Sequence, residues 1–154
     1  GVDKRIDIFA TLITYKATVD ELFHIDLAYA PPFSTTKDPV HYTGMILDNA
    51  ISHGRKLITA EELRNSAAEK QIIDARSADD YLKKGYVDDA IQLSHEEIRE
   101  KIEMLDPEKM TVAYCNKGIT GNAAQNILLA RGFKNVYNLS GGHKFYVSSK
   151  EKTK

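Results

Sequence analysis

The chain has 154 residues and a mass of 17.3 kDa, room for one domain or for a small domain plus an incomplete piece. Apolar residues are 42% and charged residues 28%, which excludes disordered and collagen-like classes. The formal charge of −1 offers nucleic acid no bulk attraction. No apolar run approaches the roughly 20 residues of a membrane helix, and GVDKRIDIFATLI lacks the apolar core and cleavage site of a signal peptide. A cytoplasmic protein with neither nucleic-acid nor membrane partner is expected. The chain opens on Gly1 rather than Met, so it is expected to be a piece of something longer. Its single cysteine excludes an internal disulfide and a Cys-based zinc site, and suits a reducing compartment.

Residues 4–15 place Ile6, Phe9, Ala10 and Ile13 at helical spacing and predict a helix with that face inward. Thr18-Val-Asp-Glu21 is a capping box opening a short helix through Phe23. DLAYAPPFSTTKDPV follows, fifteen residues with three prolines and no periodicity, expected as extended loop. Asp38-Pro39 caps a helix reaching about Ser52, with Met45, Ile46, Ala50 and Ile51 on its inner side, and His53-Gly54 ends it. From residue 57 strands and helices alternate. Thr59-Ala-Glu-Glu62 caps a short helix, Gln71–Asp74 is a buried strand, and Ser77-Ala-Asp-Asp80 starts a helix that Gly85 ends. Ile91–Leu93 is a strand, and Ser94-His-Glu-Glu97 caps a helix carrying Ile98, Ile102 and Leu105. Met110–Tyr114 is the clearest strand, residues 121–131 a clear helix closed by Gly132, and Val136–Leu139 the next strand. Short strands alternating with helices predict an α/β fold: a mainly parallel sheet covered on both faces. The lysine-rich end is expected to fray.

Cys115 immediately follows the strand MTVAY, and the loop Asn116-Lys117-Gly118-Ile119-Thr120 leads into the helix from Gly121. Ligands of open parallel sheets bind beyond the carboxyl ends of the strands. Loop amides and a helix N-terminus form an anion cradle there, which favours the anionic, nucleophilic form of a thiol. Against this stands the plain alternative that a lone Cys is a small buried hydrophobe. Two chemistries use the layout. A cysteine phosphatase needs an Arg six residues after the Cys, and position 121 is Gly. Sulfur transfer needs only the thiolate and amides to hold a persulfide.

YCNKGITGNAAQNILLARGFKNVYNLSGGHKFY resembles the active-site half of a rhodanese domain, with Cys115 at the strand end, the six-residue loop CNKGIT, the helix, a Gly-Phe, a strand and Leu139-Ser-Gly-Gly142. Upstream, IIDARSADDYLKKGYVDDAI resembles the family's Asp-x-Arg strand end at Asp74 and Arg76, and Gly85–Ile91 its following segment. The resemblance covers residues 55–148. It implies that catalytic Cys115 takes a sulfane sulfur from thiosulfate, polysulfide or coenzyme A persulfide and passes it to a thiol or cyanide acceptor. Asn116, Lys117, Gly118, Ile119, Thr120 and Gly121 form the implied substrate-binding loop, with the Thr120 hydroxyl as an extra donor. Asn116 replaces an Arg of the thiosulfate-associated loop form, removing one cation. Tyr86, Asp89 and Tyr146 depart from the pattern at positions read as structural.

Residues 5–51 resemble the end of the dimerisation domain of pyridine nucleotide–disulfide reductases of the coenzyme A-disulfide reductase and NADH oxidase group, through Leu27–Phe33 and Lys37-Asp-Pro39. The implied organisation is a reductase-like fragment over 1–54, a rhodanese-like domain over 55–148 and a disordered tail over 149–154. The nucleotide-binding glycine motifs and the flavin-linked redox Cys of such reductases are absent, so FAD and NADH are expected only in a full-length parent. The implied partners are the parent's reductase domain and a second copy of the chain. Tyr29 lies near a subunit interface in that family; within this chain an extended packing role is expected. His95 is expected at the surface, His143 in solvent or at the pocket mouth, and His24 and His41 have no metal-type spacing. Asp74 and Arg76 are expected to brace a loop, and the Lys and Glu residues of 97–109 to form a solvated face. The alternative function is a non-catalytic module that docks on a reductase domain.

Overall fold

The computed structural model describes residues 1–30, 32, 33, 35 and 37–151. Its chain divides into two compact units, Gly1–Gly54 and Arg55–Lys154. Of the proline loop, Pro31, Ser34 and Thr36 lie outside the described residues, as do residues 152–154 of the expected frayed tail.

The first unit holds α1 (Val2–Thr14), α2 (Val19–His24) and α3 (Pro39–Ile51). The start of α2 follows from local chemistry: the Thr18 hydroxyl accepts from the Glu21 amide while the Glu21 carboxylate accepts from the Thr18 amide at 2.6 Å. Asp38 caps α3, with Pro39 in the first turn where a missing N–H costs nothing. Arg5 donates to both Asp38 carboxylate oxygens at 2.8–3.1 Å, tying α1 to that cap. Helix α3 crosses α2 at Gly44, where a Cβ would sit 2.8 Å from the Phe23 Cα. The inward faces differ from the periodicity reading. In α1 the half-buried apolar residues are Ile8, Phe9 and Leu12, whereas Ile6 and Ile13 are exposed. In α3 Val40 and Gly44 are buried and Met45 half-buried, while Ile46, Ala50 and Ile51 face out. Two apolar stripes lie side by side on each of these helices, and which one is covered depends on the neighbour.

The second unit is built on five strands: β1 (Lys56–Ile58), β2 (Lys70–Asp74), β3 (Ala90–Gln92), β4 (Met110–Tyr114) and β5 (Val136–Leu139). All four pairings are parallel and the order is β1-β5-β4-β2-β3, so β4 is central. Side chains alternate across the sheet. Ile73 and Ala113 enter one core with Ala124, Ile127 and Leu128 of α6 (Ile119–Ala130). Ile72, Val112 and Tyr114 enter the other, with Leu63 of α4 (Ala60–Asn65) and Tyr146 of α7 (Gly142–Glu151). Burying a Leu or Ile contributes about 1.5–3 kcal/mol, which makes these two layers the main stabilising term. Helix α5 (Ala78–Lys84) is capped by the Ser77 hydroxyl and ends at Gly85.

Two expectations are corrected in this unit. Residues 94–105 do not form an α-helix but a chain of turns and a 3₁₀ segment, Ile102–Met104. The Ser94 hydroxyl engages the Glu97 carboxylate at 2.7 Å as a cap should. Only Ile98→Ser94 and Lys101→Glu97 then run four residues back, the remaining turns closing three residues back, as at Glu97→Ser94, Glu100→Glu97 and Met104→Lys101. The tail is the other: α7 continues to Glu151, so residues 149–151 are helical.

Candidate active site at Cys115

A parallel sheet brings the carboxyl ends of all its strands to one edge. The loops after β2 and β4 and the segment after β3 therefore share one region although 20 to 40 residues separate them in sequence. There Ala75, Arg76, Ser77, Asp80 and His95 meet Cys115, Asn116, Lys117, Ile119 and Thr120 around a cavity of about 340 Å³. Cys115 is buried, directly beyond the central strand.

The loop is shaped around the sulfur. Gly118 sits at φ +111°, a left-handed conformation that costs a side-chain-bearing residue energy. That conformation turns the Gly118 amide onto Cys115 Sγ at 3.2 Å and places Gly118 as the N-cap of α6. The Asn138 side-chain amide fixes the same residue by donating to the Gly118 carbonyl at 3.0 Å. Asn116 turns its amide to the Asp80 carboxylate at 2.8 Å. Hydrogen bonds from Lys84 and Asn116 hold that carboxyl below the usual range. Lys117 is exposed, and makes no ion pair among the described residues. From the opposite side the start of α7 closes on the loop: the His143 amide donates to the Cys115 carbonyl at 2.8 Å and the Lys144 amide to the Asn116 carbonyl at 3.2 Å. The approach is close enough that a Cβ at Gly142 would collide with the Cys115 carbonyl oxygen.

Beneath this loop lies a buried polar network. Arg76 donates from Nε to Asp74 Oδ1 at 2.8 Å and from Nη2 to Oδ2 at 2.5 Å and to the Gly85 carbonyl at 2.7 Å. The Tyr114 hydroxyl donates to Asp74 Oδ2 at 2.7 Å and accepts from the Val87 amide. Arg76 Nη1 lies 3.2 Å from His143 Nδ1. A guanidinium can only donate, so His143 accepts at Nδ1 and carries its proton on Nε2. Burial, then the charge of Arg76, pushes the His143 imidazole below its ordinary range; burial pushes the Tyr114 hydroxyl up. Asp74 and Arg76 thus brace the loops as expected, and Arg76 also lines the cavity.

Of the sequence-derived loop residues, Asn116, Lys117, Ile119 and Thr120 line the cavity and Gly118 bonds the sulfur. Gly121 lies outside the wall, buried in α6, where a Cβ would stand 2.5 Å from Asn138 Oδ1 and 3.1 Å from the Tyr114 Cα. The Arg of a phosphatase has no room at this position. His95 and His143 correct the reading: His95 is half-buried in the cavity wall, and His143 is buried in the polar network. The signal that could have found Arg76, Ser77 and His95 is their place just after a strand of a parallel sheet.

Fold and site together define an α/β domain with one thiol in an amide-lined loop at the carboxyl edge of its central strand. A model of the rhodanese-like domain matches residues 59–148, more than half of the chain, and the chain belongs to that family. It is 48% identical over 44 residues to a coenzyme A disulfide reductase of Staphylococcus aureus (strain bovine RF122 / ET3-1), covering 29% of this chain and 10% of that protein. It is 37% identical over 71 residues to the thiosulfate sulfurtransferase GlpE of Coxiella burnetii (strain RSA 331 / Henzerling II), covering 46% and 65%. Among solved structures, reduced Bacillus anthracis CoADR-RHD superposes with a TM-score of 0.85 at 30% identity, over 97% of this chain and 27% of that one. A NAD-dependent persulfide reductase from A. fulgidus superposes with a TM-score of 0.79 at 31% identity, over 94% and 26%. The match spans 10% of the curated reductase and about a quarter of the two solved chains.

Proposed function

We propose that this chain is a sulfurtransferase in which Cys115 carries sulfane sulfur as a persulfide. The observation that carries the reading is the Gly118 amide on Cys115 Sγ at 3.2 Å, at the floor of an open cavity. The Cys115 thiolate attacks the sulfane sulfur of a donor. The donor's S–S bond breaks, and sulfite leaves from thiosulfate or the thiol from a coenzyme A persulfide. An acceptor thiolate then attacks the outer sulfur of the Cys115 persulfide, the Cys–S bond to that sulfur breaks, and the Cys115 thiolate is regenerated. No redox change in the protein and no general base are required. With one cysteine in the chain, the sulfur leaves to an outside thiol. The amide at Gly118 stabilises the thiolate before attack and after release.

Residues 1–54 support a place for this domain at the C-terminal part of a coenzyme A-disulfide, persulfide or polysulfide reductase in the cytoplasm. There FAD and NADH belong to the reductase portion, and the first unit is the end of its dimerisation domain. The exposed Ile6, Ile13, Ile46 and Ile51 support a homodimer through this unit.

The test is mass spectrometry after treatment with thiosulfate, polysulfide or coenzyme A persulfide. The expected result is one added sulfur atom on Cys115, lost on addition of a thiol and absent in Cys115→Ser. An unmodified Cys115 with all three donors overturns the proposal, and tight binding of a reductase domain by that unreactive chain would assign it a docking role.

A further inference from the structure

Asn138 is a polar residue at an apolar position. It pairs with Ala113 of β4 and lies on the face of the sheet that α6 covers, where the other strand residues are Ile73, Ala113 and Val136. It is 6% exposed, and its Oδ1 is buried with no hydrogen-bond partner among the described residues. A buried amide oxygen left unpaired costs stability, and a β-branched apolar residue would suit such a strand position better. The carboxamide fits only because Gly121 has no side chain: a Cβ there would lie 2.5 Å from Oδ1. The side-chain hydrogen bond that Asn138 does make runs from Nδ2 to the Gly118 carbonyl at 3.0 Å. That carbonyl is satisfied without it, since the Asn122 amide donates to it at 2.9 Å. The two bonds differ in what they join. The Asn122 bond is internal to the first turn of α6 and moves with the helix. The Asn138 bond ties the same turn to the sheet, through the strand beside the one that leads into Cys115. Gly118 stands at φ +111°, and a glycine leaves that conformation for negative φ at little cost. Its amide would then leave Cys115 Sγ, to which it donates at 3.2 Å.

We propose that Asn138 is a positioning residue for Cys115: it pins Gly118 to the sheet so that one amide stays aimed at the sulfur. The role rests on the sulfur-transfer reading for its purpose, and on geometry alone for its effect on the thiol. Asn138 acts through Gly118 and does not touch the reacting atoms. Sheet register sets the alignment, because Ala113, the partner of Asn138, lies two residues before Cys115. The amide so held favours anionic sulfur, both when Cys115 attacks a donor and when it is released from the persulfide. The side chain thus serves the reactivity of the thiol and works against the stability of the fold.

The test compares the reduced full chain with its Asn138→Val variant in two measurements. Alkylation of Cys115 by iodoacetamide, followed against pH, reads the thiolate, and thermal melting reads the fold. The Val variant is expected to react about tenfold more slowly at neutral pH, the effect of one hydrogen bond to an anionic acceptor. The difference should close at about pH 10, where an ordinary thiol is ionised without help. The melting temperature should be unchanged or higher, because the unpaired Oδ1 is gone. Asn138→Ala, which makes no steric demand beneath α6, should slow alkylation in the same pH-dependent way and serves if the Val variant does not fold. Alkylation within about twofold of wild type throughout, or a slowing by the same ratio at every pH, overturns the proposal, since one hydrogen bond to the thiolate must act through ionisation. Loading of Cys115 from thiosulfate, polysulfide or coenzyme A persulfide, measured alongside, reports the chemistry separately. If no donor loads the wild-type chain while alkylation keeps its dependence on Asn138, the sulfurtransferase reading falls and the positioning role stands.

Discussion

Replacing Arg76 by Met should destabilise the second unit by about 3–5 kcal/mol, the cost of leaving one partner of a buried ion pair alone. Arg76 and Asp74 are 4% and 0% exposed, so water cannot take over the interaction. The substitution removes five side-chain contacts: three to the Asp74 carboxylate, one to the Gly85 carbonyl and one to His143 Nδ1. The Tyr114 hydroxyl and the Arg76 backbone amide remain on Asp74, which keeps the loss toward the lower end of that range. Domains of this size are stable by roughly 5–15 kcal/mol, so the loss is a large share of the total. The assay is urea unfolding of the whole chain followed through the NMR amide signals of β4, which report this unit alone. Arg76→Lys keeps the charge but not the fork of donors, and should fall between wild type and Met; it serves if the Met variant does not fold. Adding Asp74→Asn to Arg76→Met should recover about 1 kcal/mol or more, since the stranded charge is then gone. A loss below about 1 kcal/mol for Arg76→Met, or strict additivity in the double variant, refutes the account of Arg76 and Asp74 as the brace of the site.

His143 is held below its ordinary titration range in the folded state, so the unfolded chain takes up a proton first as pH falls. Stability should be constant above about pH 6.5, the unperturbed histidine value, and decline below it; His143→Gln should remove that part of the pH dependence in thermal melts. Gly121→Ala should cost about 1–3 kcal/mol of overpacking, because its Cβ meets Asn138 Oδ1 at 2.5 Å and the Tyr114 Cα at 3.1 Å; an unchanged melting temperature would refute this. Asn116→Arg restores a cation beside the cavity and should raise kcat/KM for thiosulfate about fivefold, the effect of one partly exposed charge contact, with little change for a neutral donor. Light scattering on the full chain should give the mass of a dimer, and a monomer at all concentrations would count against an interface on the first unit.

Much was legible from short-range chemistry. The capping boxes at Thr18 and Thr59, the Asp38-Pro39 start and the strands ending at Asp74 and Tyr114 depend on neighbours within four residues, and they stand where the sequence puts them. The position of Cys115 between the central strand and α6 is likewise local. What failed were inferences about faces and distant partners. Periodicity in α1 leaves two adjacent apolar stripes, and the packing half-buries Phe9 with Ile8 and Leu12 rather than with Ile6 and Ile13. Residues 94–105 have helix-capping chemistry, yet their backbone closes mostly three residues back and winds through turns and a 3₁₀ segment.

The sequence by itself determined the five strands, the capped helices outside 94–105 and the place of the thiol, because these rest on contacts a few residues long. Only the tertiary structure decided who surrounds that thiol. Parallel pairing of β2, β3 and β4 carries Arg76, Asp80 and His95 to the same edge as Cys115, and the α7 N-terminus brings His143 beneath it. Residues placed far apart in the chain meet there because a parallel sheet aligns its strand ends, a constraint no local pattern contains.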